Sequence, residues 1–287
     1  MATTIKEKAF LWLTVVLVLV VNAVMLIIPI FINSGVVQNL IKPFTVSVFL
    51  MEGIFYLLPD GVGGYSGSDL RDTGYMICVL FVVVFAILDN LLSSGKTGTE
   101  NEQQEQQDSS SKGGSGSFNF MTLIYIVIIW ITYMMIGMNL TCGLKPGKGY
   151  EYKILINPLF VYIFRLGTIQ YVYGMYVWNE GPPLWLYLVY MIPQALLWPL
   201  AALISYYHHK CTSDMRNCKM CFCAILAGAL CYMGFRMMYQ FQQYFKSSGD
   251  TKNKIIQGVT MAVGFLWMVF IKGIYTMNDG GWGYRYD

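Results

Sequence analysis

The sequence predicts an all-α polytopic membrane protein with seven or eight transmembrane helices. Three observations carry that expectation. Seven apolar runs are long enough to cross a bilayer, and the clearest, residues 9–32, holds no ionisable side chain. A hydrocarbon core about 30 Å thick needs roughly 20 apolar residues in a helix, and backbone polar groups find no water there, so each crossing satisfies its own hydrogen bonds. The 287 residues are 56% hydrophobic and only 12% charged, against roughly 25% charged in a soluble domain.

Residues 9–32 read as a retained first span, because the apolar stretch exceeds the roughly 7–15 residues of a cleavable signal. Residues 33–74 are expected to form an extramembrane or re-entrant loop. Lys42, Pro43, Glu52 and Gly53 interrupt this segment, and its uninterrupted apolar part, 44–51, is too short to span. Val46, Val48 and Phe49 favour β structure, which points to a hairpin. The competing expectation is an eighth span over 36–58. The remaining spans fall at 75–92, 120–138, 154–178, 184–207, 220–245 and 255–277, within a single membrane domain covering 1–287. Residues 93–117, SSGKTGTENEQQEQQDSSSKGGSGS, have almost no apolar side chain and are expected to be a disordered linker. No internal repeat is evident.

The net charge of +3 is too small to argue for nucleic acid. The partner it implies is the lipid bilayer, with a homo-oligomer compatible. Seven cysteines, an odd number spread over spans and loops, do not form a disulfide scaffold. With eight spans and a cytosolic N-terminus, the inside segments carry more Lys and Arg. With seven, the outside segments do, so the positive-inside rule favours a cytosolic C-terminus. The sequon Asn139-Leu140-Thr141 pulls the other way, toward an outside loop.

Charges inside spans are costly and mark candidate functional residues. Arg165 sits near the middle of its run, where a carboxylate such as Asp89 or Glu52, or backbone carbonyls, are its expected partners. Arg236 lies two-thirds along its span and either pairs between helices or snorkels to the interface. Asp89, near the end of its run, is expected to be solvated there. Lys272, in WMVFIKGIYTM, is close enough to the span's end to snorkel, although a buried lysine also supplies a Schiff-base nitrogen. Cys218 and Cys221 with His208 or His209 offer zinc-type ligands, but Cys223 and Cys221 run into the next span, so a chance interfacial cluster is the expected reading and no metal is assigned. Membrane desaturases and elongases need several histidine boxes, and prenyltransferases need aspartate-rich pairs to hold magnesium. This chain has two histidines, adjacent to each other, and no G-x-S-x-G, H-E-x-x-H or P-loop. No catalytic residue is expected.

Several short pieces occur in order along most of the chain: Leu92-Ser93-Ser94-Gly95, Thr141-Cys142-Gly143, Trp185 and Pro193, Gln240-Phe241-Gln242-Gln243-Tyr244, and Trp267 with Lys272 in the last span. With a first span, a long loop of β character and six further helices, this layout resembles the heliorhodopsins, seven-helix retinal proteins whose N-terminus lies inside. The resemblance implies a rhodopsin-like bundle, a sensory or signalling role of photoreceptor type, and Lys272 as the only attachment point for retinal. The chain departs from the pattern in two places. Residues 120–138 contain no glutamate to serve as counterion, and Lys272 is late in its helix with Met268 where a serine is expected. Beside the sensory reading stand a transporter or channel subunit using Arg165 and Arg236, and a structural subunit of a membrane complex.

Overall fold

The computed structural model describes residues 2–32, 35–62, 68–94, 120–142, 152–208, 213–247 and 251–278. Among the described residues, all of the regular structure is helical. Helix α1 is Ala2–Phe31. Helix α2, Gly35–Met51, passes through a π-helical stretch, Glu52–Leu57, into the short α3, Leu58–Val62, and the three form one continuous rod. The others are α4, Ser68–Ser94; α5, Phe120–Cys142; α6, Tyr152–Asn179; α7, Leu184–His208; α8, Ser213–Ser247; and α9, Thr251–Asn278.

Among the described residues, seven helices are long and apolar enough to cross a membrane, and Leu40–Val62 is one of them. The protein is an integral, multi-pass, all-α membrane protein. Helix α6 is an eighth rod; its 28 residues extend about 42 Å at the α-helical rise. Lipid contact is written on the outer faces. Val16 and Val20 of α1, Met76 and Val79 of α4, and Val259 and Leu266 of α9 are all exposed, as a hydrocarbon solvent permits.

The segment expected as a loop over 33–74 is corrected by the structure. Residues 35–62 form the α2–α3 rod, and α4 begins at Ser68. Of the Leu40–Val62 window 67% is buried, against 17% for Asp72–Leu91, so the segment read as peripheral is a central helix. Three local facts explain the error. The β preference of Val46, Val48 and Phe49 gives way to the need for internally satisfied backbone. The Ser47 hydroxyl donates back to the carbonyls of Pro43 (3.3 Å) and Phe44 (2.9 Å), covering polar groups within the helix. Glu52 is neutralised by an arginine from another helix. The expected linker falls differently too: Ser93 and Ser94 close α4, and 95–117 lie outside the described residues. The sequon occupies the last turn of α5.

Neighbouring contacts fix the direction of each rod. Gly167 meets Val21 and Met25, and Gly174 meets Pro29, so α6 runs parallel to α1. Asn22 donates to the Ala195 carbonyl and Tyr187 to the Leu26 carbonyl, so α7 runs antiparallel to α1. Trp130 donates to Tyr190 and Ser205 to Met138, which makes α5 parallel to α7. Gly53 abuts Ala227 and Cys231, and Gly61 abuts Met220 and Ala224, so α2–α3 opposes α8. Gly228 meets Cys78, and Arg236 meets Asp89, so α4 follows α8. Gly264 sits on Phe44, and Tyr56 donates to the Met268 carbonyl, so α9 follows α2–α3. Glu52 meets Arg165 while Phe49 meets Tyr173, which sets α6 against α2–α3. The rods therefore alternate in direction from α1 to α9.

The rods also sort into two groups. Helices α1, α5, α6 and α7 pack mainly on one another, and α2–α3, α4, α8 and α9 do the same. The groups meet where α5 packs on α8 and where α6 packs on α9 and α2. Small residues let the backbones close up within each group. A Cβ on Gly228 would stand 2.5 Å from the Cys78 carbonyl oxygen, and one on Gly137 2.5 Å from that of Trp198.

Eight alternating rods put the start of α1 and the end of α9 on one face. Cysteines placed at Ala2 and Asn278 are expected to react with an impermeant thiol reagent from the same side of the membrane, the cytosolic side by the positive-inside rule. Labelling from opposite sides would mean that one rod does not cross.

Candidate functional site

The polar centre lies between the two groups. Glu52 opens the π-helical stretch, where the Leu58 N–H reaches back to the Gly53 carbonyl. Such stretches are rare and occur frequently at functional sites. Gly53 lets α8 approach on one side, while the Glu52 carboxylate turns toward α6. There the Arg165 Nε donates to both carboxylate oxygens at 3.0 Å, and a terminal guanidinium nitrogen donates to Oε1 at 2.5 Å. The side chains are 9% and 3% exposed, so water contributes almost nothing to screening the pair. Of the two carboxylates weighed from sequence for Arg165, Glu52 is the partner. An arginine suits this place because its planar fork matches a carboxylate and stays charged when desolvated.

Tyr56, one helical turn beyond Glu52, completes the centre. The Arg165 guanidinium carbon stands 4.4 Å from its ring centroid, and the hydroxyl donates to the Met268 carbonyl at 3.0 Å. Lys272 also meets this ring, with Nζ 4.9 Å from the centroid. The snorkelling expected of Lys272 is therefore replaced by an inward contact between the ammonium and an aromatic face. Beside it, the Trp267 indole donates to Thr168 at 3.0 Å, a second polar link between α9 and α6.

The other intramembrane charges form a separate cluster within one group. Arg236 pairs with Asp89 at 3.1 Å, and the Tyr232 hydroxyl donates to the same carboxylate at 2.7 Å. Asp89, expected to be solvated, is thus held by a cation and a hydroxyl, with its side chain 16% exposed. A third polar contact, Thr122 to Glu180 at 2.6 Å, closes the end of α6 on α5.

Among the described residues, no group of three or more His, Cys, Asp or Glu side chains stands together to hold a metal ion. Cys218 is exposed and Cys221 half-buried. His209 and Cys211 lie outside the described residues, and the side chain of His208 is not described. Glu52, Arg165 and Lys272 were visible in the sequence as charges in apolar surroundings. Tyr56 was not, because one tyrosine among 21 carries no pattern until its neighbours are known.

The pair predicts a non-additive mutant cycle. Arg165→Leu alone, or Glu52→Leu alone, leaves one buried charge unmatched and is expected to cost about 3–5 kcal/mol. The double substitution is expected to recover most of that loss in thermal unfolding of the detergent-solubilised protein. Additive losses would show that the two side chains do not act as a unit. Compared with models of known protein families and with curated proteins, the chain has no match, so its functional assignment rests on this geometry.

Proposed function

We propose that the protein is a transporter or channel subunit whose path for a small charged species passes the Arg165–Glu52 pair. The observation that supports this reading is the position of the pair. It joins α6 of one helix group to α2–α3 of the other, rather than sitting inside either group. An ion pair at low dielectric fastens the two groups in one arrangement. A solute that competes for the guanidinium, or a cation or proton that competes for the carboxylate, releases that fastening and favours another. Glu52 also opens a π-helical stretch, a geometry frequent at functional sites. Ion flux into proteoliposomes, followed for monovalent anions and cations with fluorescent reporters, tests the reading. Arg165→Ala and Glu52→Gln are expected to reduce flux by about tenfold or more, the equivalent of about 1.4 kcal/mol. Flux that ignores both substitutions removes the pair from the path.

A second reading, a heliorhodopsin-like receptor, draws support from Lys272. Its ammonium stands over the ring of the buried Tyr56, whose other cation, the Arg165 guanidinium, pairs with Glu52, so a carboxylate is linked to the nitrogen that would carry retinal through two intervening side chains. Protein expressed with retinal is expected on this reading to show a visible absorption band that Lys272→Ala abolishes. No band, or a band that survives the substitution, ends it.

A further inference from the structure

Helices α4 and α8 bring two thiols together inside the bilayer. A Cβ on Gly228 of α8 would stand 2.5 Å from the Cys78 carbonyl oxygen, 3.1 Å from the Phe81 Cβ and 3.3 Å from the Val82 nitrogen. The two backbones therefore touch, where ordinary helix axes stay about 8–10 Å apart. Cys231 lies one turn beyond Gly228, and helical side chains lean toward the N-terminus, so its sulfur comes down over the point of contact. There the Cys78 and Cys231 thiols are hydrogen-bonded to each other. Both are free cysteines, and both lie within the apolar windows of their rods, Asp72–Leu91 and Asn217–Gln240. The Cys231 sulfur also backs Gly53, whose added Cβ would stand 3.0 Å from it, so the pair borders the rod that carries Glu52.

A buried cysteine commonly serves as a small hydrophobe. Cys223, 0% exposed, fits that description. Cys78 and Cys231 differ from it in two respects. Each faces a second thiol, and each keeps 6% of its surface exposed. Cys78 also belongs to the rod with the least cover. Of the Asp72–Leu91 window 17% is buried, and the neighbouring Val79 and Leu80 are exposed. An agent that reaches this pair comes through hydrocarbon. Glutathione and other charged thiol reagents are kept from that route by the cost of desolvating them, whereas a neutral hydroperoxide dissolves in it.

We propose that Cys78 and Cys231 form a dithiol site that membrane-soluble hydroperoxides oxidise to a disulfide joining α4 to α8. In the first step the Cys78 sulfur takes the terminal oxygen of the hydroperoxide. An S–O bond forms, the O–O bond breaks, and the alcohol leaves with the thiol proton. The product is a sulfenic acid, which condenses with a thiol. In the second step the Cys231 sulfur attacks the Cys78 sulfur. The S–S bond forms, the S–O bond breaks, and water leaves with the second thiol proton. Two thiols are oxidised and one peroxide is reduced, with no further reactant. A disulfide needs Cα atoms within about 7 Å of each other, which makes the close approach at Gly228 a condition of the site.

Cumene hydroperoxide added to the reduced protein in liposomes, followed by non-reducing digestion and mass spectrometry, tests this. A peptide pair cross-linked through Cys78 and Cys231 is expected, formed several-fold faster than any oxidation of Cys223 and lost on treatment with dithiothreitol. The unfolding temperature is expected to rise with the cross-link, and not to rise under the same treatment in Cys78→Ala. Absence of the cross-linked pair overturns the site, with oxidation of the exposed Cys218 showing that the reagent was active. A cross-link that lowers the unfolding temperature overturns it as well, because the helices would then have to leave their native packing to form it. Neither readout depends on flux, so the dithiol site and the transport reading fail separately.

Discussion

One constraint organises this molecule: Glu52 cannot stay in the bilayer without Arg165. The carboxylate lies in a rod whose hydropathy alone makes it a weak span, and the guanidinium lies in the middle of another. Each charge is tolerable only because the other is in place. The need to hold them in register accounts for features that otherwise look unrelated. Gly53 brings α8 close behind Glu52, Tyr56 roofs the guanidinium, and the Tyr56 hydroxyl is fixed to α9 through the Met268 carbonyl. Four helices are thereby indexed to one another around a single pair.

The rest of the packing is conventional by comparison. Between helices that are all bathed in lipid there is little hydrophobic drive to associate, so close approach and interhelical hydrogen bonds carry the association. Asn22, Trp130, Tyr187 and Ser205 each donate to a carbonyl on a facing helix. All four bonds lie within the α1, α5, α7 set. In the other group glycines at positions 53, 61, 228 and 264 bring the helices together. Both halves combine the two devices: Gly137, Gly167 and Gly174 bring backbones close in the first, and Tyr56, Tyr232 and Arg236 donate between helices of the second. The two halves are joined by the ion pair, by Trp267 donating to Thr168 and by Thr132 donating to the Phe222 carbonyl, and the ion pair is the strongest of these.

Much of the fold was legible in the sequence because a membrane span announces itself through length and composition. Runs such as 9–32 and 255–277 needed nothing else. The rod at 35–62 was not legible, since local content argued against it: a lysine, a proline, a glutamate and β-branched residues. What makes it a helix is a partner far along the chain, which no window of neighbouring residues can contain. The site shows the same division. Arg165, Arg236, Asp89 and Glu52 stood out as charges in apolar surroundings, and Glu52 and Asp89 were both candidate partners of Arg165, but the choice between them needed the packing of α6 on α2–α3, and the contact of Lys272 with the Tyr56 ring needed a neighbour far along the chain. Tyr56 drew no attention at all. Neutral polar residues are ordinary in a sequence and become informative only when burial and partners are known.

The separation of Glu52 from Arg165 also has a consequence for biosynthesis. The two are 113 residues apart, and at about 5–20 residues per second the ribosome needs on the order of 6–20 s to travel that far. During this interval the second rod has entered, or is queuing to enter, the membrane with a carboxylate that has no counterpart. Its guanidinium partner arrives only with the fifth rod. Assembly of the centre is therefore timed by translation, and a pause or truncation between the two positions strands an acidic helix in lipid.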